Sequence, residues 1–285
     1  MAIILITGAN KGIGLESARQ LVAAGHTVYA GARNPELGRK AAEQIGARFV
    51  QLDVTDDASV GRAVDAAVAK AGRIDVAINN AGYFLGGLAE AVTTEQAQRL
   101  MDTNFLGPVR VNRAVLPHMR RQRSGVLMHI SSGAGRVVLP SMGLYCASKF
   151  ALEALAEAYN YELAAQGIES VIVEPGAYET AVFGNSVTAA DVARTNGYGA
   201  AKEFSAKLNG ALLSTVGNAQ EVADAVLRIV ETPAGEKLLR YRISAASFGV
   251  DEINALSRQV QASLLEAFGI AADTKFVKGK AVGSV

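Results

Sequence analysis

The sequence predicts an α/β protein, a mostly parallel sheet with helices on both faces. Short apolar strand patterns alternate with amphipathic helical patterns from the first residues onward. Glycine stands at the end of successive helical patterns, at Gly25, Gly46, Gly72 and Gly167, where a left-handed helix terminus favours it. Such alternation implies right-handed crossovers, and a sheet so covered is buried on both sides. Hydrophobic residues make up 50% of the chain but aromatic ones only 6%, so the core rests on Ala, Val, Leu and Ile. The 285 residues fit one large domain, 1–285.

Taken in order, Ile3-Ile4-Leu5-Ile6 opens a first strand over residues 3–7, followed by a helix over 13–24 that Gly25 stops. Residues 27–30 and 49–52 are strands, separated by a helix over 35–45, and 57–71 is helical up to Gly72. A fourth strand covers 76–78. The pattern over 94–116 is helical, with Pro108 an irregularity. The strand at 126–130 leads into a helix over 145–166, then a sixth strand at 170–173 ending before Pro175-Gly176. A helix over 220–230 and a strand over 238–243 complete the alternation.

Residues 180–217 break the rhythm and exceed an ordinary connection. A substrate-binding lid is expected there, with Gly184, Gly197 and Gly199 as hinge points and Phe183, Tyr198, Phe204 and Leu208 facing an apolar pocket. In the tail, Ile253, Leu256, Val260, Leu264 and Phe268 give residues 251–268 the spacing of an amphipathic helix.

Several function classes are disfavoured. The net charge is +1 and no basic tract exists, which argues against a nucleic-acid partner. Arg120, Arg121 and Arg123 suit a helix C-terminus. A single cysteine, Cys146, allows no intrachain disulfide, and no apolar run reaches the ~20 residues of a membrane span. With no signal-peptide pattern, the expected location is cytoplasmic and no membrane partner is expected. His26, His118 and His129 are scattered, so no metal site is expected.

Positive signals lie at the strand ends. Gly8, Gly12 and Gly14 follow the first strand and open a helix, in the run Thr7-Gly8-Ala9-Asn10-Lys11-Gly12-Ile13-Gly14. Such a turn lets backbone approach a pyrophosphate, and the helix N-terminus offers free N–H donors. A plain tight turn is the alternative. After the second strand comes Gly31-Ala32-Arg33, with no carboxylate to repel a phosphate. Arg33 can grip one through its planar fork and Lys11 can add a second cation, pointing to the 2′-phosphate of NADP. Asp53 ends the third strand, at the adenine edge. Asn80 and Gly82 follow the fourth, where a carboxamide can bridge backbone groups beneath a ribose.

Tyr145 and Lys149 stand one helical turn apart on one face. A phenol titrates near ~10 when unperturbed, and a neighbouring ammonium lowers that value. The pair therefore reads as a proton-transfer device, with Lys149 also able to hold ribose hydroxyls. A serine after the fifth strand, Ser131 or Ser132, can donate to a substrate carbonyl. Asn104, in the long helix, either anchors a proton-relaying water or simply faces solvent.

These residues, together with Asn79-Asn80-Ala81-Gly82, Ile130-Ser131-Ser132, Tyr145-Cys146-Ala147-Ser148-Lys149 and Pro175-Gly176 before Thr180, stand in an order that resembles the NADP-preferring short-chain dehydrogenases/reductases over roughly residues 1–243. The resemblance implies a single doubly wound Rossmann-type domain whose seven parallel strands run 3-2-1-4-5-6-7. It implies a catalytic set of Asn104, Ser132, Tyr145 and Lys149. Tyr145 would be general acid/base, Ser132 would hold the substrate oxygen, Lys149 would bind the nicotinamide ribose, and Asn104 would support a water relay. It places Asp53 at the adenine, Asn80 near the ribose, Thr180 near the carboxamide, and Pro175, Gly176 and Tyr178 beside the nicotinamide. The expected function is NADPH-dependent reduction of a ketone or aldehyde on a moderately apolar small molecule, by a homodimer or homotetramer. Alternatives are an NADP-dependent alcohol dehydrogenase working in oxidation and a non-catalytic nucleotide-binding or sensing protein.

Overall fold

An uninterrupted buried apolar run such as Ile3–Thr7 suits only a strand covered on both faces, and it forms the central strand β1. The computed structural model describes residues 1–176, 186–213, 217–244 and 247–279. In chain order its strands are β1, β2 (Thr27–Ala32), β3 (Arg48–Gln51), β4 (Val76–Asn79), β5 (Leu85–Gly86), β6 (Gly125–Ile130), β7 (Ile168–Pro175), β8 (Val187–Thr188) and β9 (Arg240–Ile243). Seven of them make one sheet in the order β3-β2-β1-β4-β6-β7-β9, with every neighbouring pair parallel. Counted within that sheet, the order is the expected 3-2-1-4-5-6-7. The reversal between β1 and β4 opens a crevice at the strands' carboxyl ends.

Helices cover both faces. On one lie α1 (Gly12–Ala23) and α2 (Pro35–Ile45), whose Ala18, Leu21, Ala42 and Ile45 pack on Ile4, Ile6 and Val28. The other face carries α3 (Asp57–Ala71), where Val60, Ala63 and Val64 meet Leu5, Ala77 and Leu127. Asp56 caps α3, and Gly46 and Gly72 end α2 and α3 in the left-handed region, at φ 72° and 77°.

The helix expected over 94–116 is divided. Helix α4 (Thr94–Met101) passes into a π turn at Asp102–Leu106 and then into α5 (Gly107–Gln122). Pro108 has no N–H to return to the preceding turn, so the wider turn falls just ahead of it. Helix α5 also continues past Pro117, because Val115 and Met119 are buried and the left-handed Arg123 closes the last turn. Helix α6 (Gly143–Glu162) follows β6 and runs behind its carboxyl end.

The described part of 180–217 has structure of its own. Strand β8 pairs in parallel with β5, a small sheet without an apolar signal in the sequence. Gln96 of α4 latches it, donating to Thr188 O at 2.8 Å and accepting from Ala190 N at 3.0 Å. Helices α7 (Val192–Asn196) and α8 (Phe204–Leu213) follow. The remaining helices are α9 (Ala219–Glu231), packed on the α1 face through Val222 and Val226, and α10 (Val250–Ala267). Of the expected hinge glycines, Gly199 has φ +54° while Gly184 lies outside the described residues.

At the open edge of the sheet, β3 is flanked by Arg39, Arg48, Arg62 and Lys70, which surround a shallow recess of about 310 Å³. The Arg48 guanidinium lies 5.6 Å from the Tyr29 ring centre and donates to its hydroxyl at 2.9 Å.

Candidate active site

A cavity of about 1010 Å³ runs along the carboxyl ends of the strands. It is lined by Gly8, Asn10, Lys11, Gly12, Ile13, Gly14, Arg33, Asp53, Asn80, Gly82, Ser132, Tyr145, Lys149, Pro175 and Gly176. Residues spread over the chain thus share one space. Asn104 does not line it, and Tyr178, Thr180 and Phe183 lie outside the described residues.

At one end, the chain turns from β1 into α1 through Gly8 at φ +64° and Gly12 at φ +55°. A Cβ on Gly14 would lie 2.5 Å from the Gly8 carbonyl oxygen and closer still to Asn80 Nδ2. Asn80 rivets this turn to β4. Its Nδ2 donates to Thr7 O at 2.9 Å and Gly8 O at 3.2 Å, while the Thr7 hydroxyl accepts from the backbone N–H groups of Asn80 and Ala81 at 3.0 and 2.9 Å. Asp53 is fixed as an acceptor for Thr55, with Oδ1 2.7 Å from Oγ1. Lys11 and Arg33 are exposed at the cavity rim, and neither has a salt bridge among the described residues. A glycine cradle closed to any side chain, a helix N-terminus and two free cations fit a dinucleotide carrying an extra phosphate.

The other end is apolar. Phe84 meets the Tyr145 ring edge to face at 5.1 Å, and Val137, Leu139, Met142, Val187 and Leu208 continue the wall. Of the residues expected there from 180–217, Leu208 takes part. Tyr198 instead bonds Glu90 at the surface, and Phe204 is half-exposed away from the wall.

Tyr145 and Ser132 meet at the junction of the two ends, where the serine hydroxyl favours the ionised phenol. Ser132 is extended and also accepts from Ala134 N at 3.2 Å. The expected lowering of the phenol by Lys149 is corrected here. Burial among Phe84, Leu139 and Met142 pushes the Tyr145 hydroxyl up to about 12, and Ser132 offsets this only in part. The ring edge is open to the cavity, but the surrounding protein sets the polarity that the hydroxyl feels. Lys149 Nζ sits 5.9 Å from the tyrosine ring centre and donates to Ile130 O at 2.9 Å. Burial pulls Lys149 down to about 8, with Glu153 opposing.

Asn104 is neither solvent-facing nor aimed into the cavity. It sits in the π turn, where Oδ1 accepts from Tyr83 N at 3.0 Å and Nδ2 donates to Tyr83 O at 3.0 Å and Ser148 Oγ at 3.1 Å. Both amide protons are committed, so the side chain fixes α6 against the loop after β4 rather than offering a donor to water.

Some features of the site had no motif to announce them. Phe84 is an ordinary residue in sequence, and Thr7 opens the glycine run without a role of its own there. Ser244, Ser247, Phe248 and Val250 reach the cavity from far along the chain. Glu153 is buried and accepts from Ser131 Oγ at 2.7 Å. Its one sequence signal is that it continues the spacing from Tyr145 through Lys149. His129 is buried and held far below its ordinary range, at about 3, by burial and by Lys149, which leaves it a neutral packed side chain. No cluster of three or more metal-ligating side chains occurs among the described residues. None of their helices is long and apolar enough to cross a membrane.

The short chain dehydrogenase family profile matches residues 2–192. The chain belongs to the short-chain dehydrogenase/reductase family. A 3-ketodihydrosphingosine reductase from Bacteroides thetaiotaomicron is 42% identical over 184 residues, covering 64% of this chain and 66% of that one, just under two thirds of its length. An uncharacterized oxidoreductase of Bacillus subtilis is 35% identical over 257 residues, covering 85% and 88%. Among solved structures, a short-chain dehydrogenase from Streptomyces avermitilis superposes with a TM-score of 0.78 at 31% identity, covering 96% of this chain and all of that one. A serine dehydrogenase complexed with NADP+ gives 0.72 at 26% identity, covering 84% and 93%. The fold of this oxidoreductase family binds a nicotinamide cofactor.

Proposed function

We propose that this dehydrogenase reduces a ketone or aldehyde on a moderately apolar small molecule, with NADPH as the reductant. The observation that carries the reading is the shape of one cavity. Two cations without a salt bridge among the described residues stand at its polar end, and the Tyr145 and Ser132 side chains meet its apolar end.

Lys11 and Arg33 hold the 2′-phosphate, Gly8, Asn10, Gly12, Ile13 and Gly14 admit the pyrophosphate, and Asp53 faces the adenine. Asn80 and Gly82 keep the floor beneath the ribose in place. Pro175 and Gly176 form the wall beside the nicotinamide. When bound, the cofactor supplies the hydride. Lys149 orients the nicotinamide ribose. Ser132 donates to the substrate oxygen, where negative charge develops, and Tyr145 gives that oxygen its proton. The raised phenol stays protonated at neutral pH, as a proton donor in reduction must be. Asn104 acts behind the site by fixing α6. The name of the Bacteroides relative, a keto-group reductase, supports the direction. NADP in complexes of family neighbours supports the cofactor.

The test is a panel of apolar and polar carbonyl compounds assayed with NADPH and NADH in parallel. The expected result is turnover of apolar ketones or aldehydes with NADPH preferred. Absence of turnover across the panel, with tight NADPH binding, would instead favour a nucleotide-sensing role.

A further inference from the structure

Three successive turns of α6 reach back to three successive residues at the end of β6. Tyr145 faces Ser132, Lys149 donates to the Ile130 carbonyl at 2.9 Å, and Glu153 accepts from the Ser131 hydroxyl at 2.7 Å. Side chains at this spacing share one helix face, so one rigid element grips the strand end at three points. The third is built as tightly as the others. Gly135 passes so close that a Cβ there would lie 2.8 Å from Ser131 Oγ and closer still to Glu153 Oε1.

A buried carboxylate needs compensation. Arg240 of β9 bridges Glu153 at 3.3 Å and also pairs with Glu157 and Glu174, while Arg136, in the loop after β6, stands 3.8 Å away. From α10, Asn254 donates to Glu174 at 2.7 Å and Gln261 to Glu157 at 2.8 Å. The charged groups facing Glu153 are thus Lys149 and Glu157 on its own helix, Arg136, Glu174 and Arg240. Burial and Glu174 raise the Glu153 carboxyl to about 7, so it is ionised in the range where Lys149, held near 8, gives up its proton.

We propose that Glu153 is a positioning residue of the reaction: its carboxylate fixes Ser131, and through it the presentation of Ser132 to Tyr145, and keeps the Lys149 ammonium charged. The proposal rests on the functional reading above, but half of its test needs no substrate.

NADPH binding is titrated by nucleotide fluorescence from about pH 6 to about pH 10 in wild type, Glu153→Gln and Ser131→Ala. Glutamine still accepts from Ser131 but carries no charge. The alkaline loss of affinity is expected to move down by about one pH unit in Glu153→Gln and to stay in place in Ser131→Ala. With a carbonyl compound that the wild type turns over, Ser131→Ala is expected to lose about tenfold in kcat with KM nearly unchanged, as a misplaced donor does, while Glu153→Gln, which keeps the acceptor for Ser131, loses less at neutral pH. The double variant should lose no more than the worse single one. An unmoved alkaline limb in Glu153→Gln overturns the proposal whatever happens to kcat, since a merely structural carboxylate would leave it in place. Wild-type kcat in Ser131→Ala, which removes one hydroxyl and keeps every charge, overturns the positioning half even where Glu153→Gln fails to fold. If wild type reduces no carbonyl at all, the functional reading fails and the binding titration still decides the role of Glu153.

Discussion

The same substitution at two helical glycines should shift stability in opposite directions. At Gly14, a methyl group would stand 2.5 Å from the Gly8 carbonyl oxygen, which is backbone and cannot swing aside. It would also drive into the Asn80 carboxamide, whose bonds to Thr7 O and Gly8 O measure 2.9 and 3.2 Å. Overpacking costs about 2 kcal/mol and the two hydrogen bonds about 1 kcal/mol each, against about 1 kcal/mol recovered from alanine's helix preference. Gly14→Ala should therefore lose about 3 kcal/mol and melt about 6–12 °C lower. The displaced turn should also weaken NADPH binding by at least about tenfold, since 1.4 kcal/mol of misfit suffices. At Gly61, inside α3, nothing lies within 4 Å of the added Cβ. Gly61→Ala should stabilise by about 0.5–1 kcal/mol and leave binding untouched. Differential scanning calorimetry with and without NADPH reads both. A Gly14→Ala protein that melts with the wild type and binds NADPH equally well would refute the reasoning about the cradle.

Tyr145→Phe should bind NADPH as wild type does while carbonyl reduction falls by about 10²–10⁴-fold, the usual contribution of a general acid; an unchanged rate would remove Tyr145 from its role. Arg33→Ala should weaken NADPH by about 2 kcal/mol, some ~30-fold, and leave NADH alone, measured as the ratio of the two kcat/KM values. The pH profile follows from the two shifted groups. The acid form of Tyr145 prevails up to about 12, so reduction should hold across neutral pH and decline as Lys149 loses its proton through about 8. A decline beginning well below neutrality would contradict that assignment. Gln96→Leu should free β8 from its latch, with its partners at 2.8 and 3.0 Å lost together with the bond that caps α4, and appear as a raised KM with about 2 kcal/mol less stability.

The alternation of strands and helices was legible because the central strands are short apolar runs and several helices stop at a glycine, whereas the strand order came only with the resemblance, since β3 and β9 carry arginines and no apolar pattern fixes their places. The residues now found around one cavity were legible for a related reason. They sit at strand ends, where the topology must bring them together. What escaped depends on partners distant in sequence. The direction of the Tyr145 shift is decided by Phe84, Leu139 and Met142, which no spacing rule connects to the Tyr-Lys pair. The π turn arises from Pro108 and from Gly107 fitting against Val54, where the sequence shows only a helical pattern with an irregularity. Asn104 reads as a polar intruder in a helix until Tyr83 is seen to use both ends of its amide. Ser244, Ser247, Phe248 and Val250 join the cavity wall because β9 lies beside β7.

The four basic side chains around β3 bear on how the molecule behaves in a crowd. A border strand offers an unpaired row of peptide groups that another chain can extend, the first step toward precipitation. Two copies meeting at that border would press guanidinium groups together at short range, and the repulsion would part them before peptide pairing began. Exchanging Arg39, Arg48, Arg62 and Lys70 for neutral residues should leave activity intact while lowering the concentration at which the protein stays clear on storage, as turbidity would record.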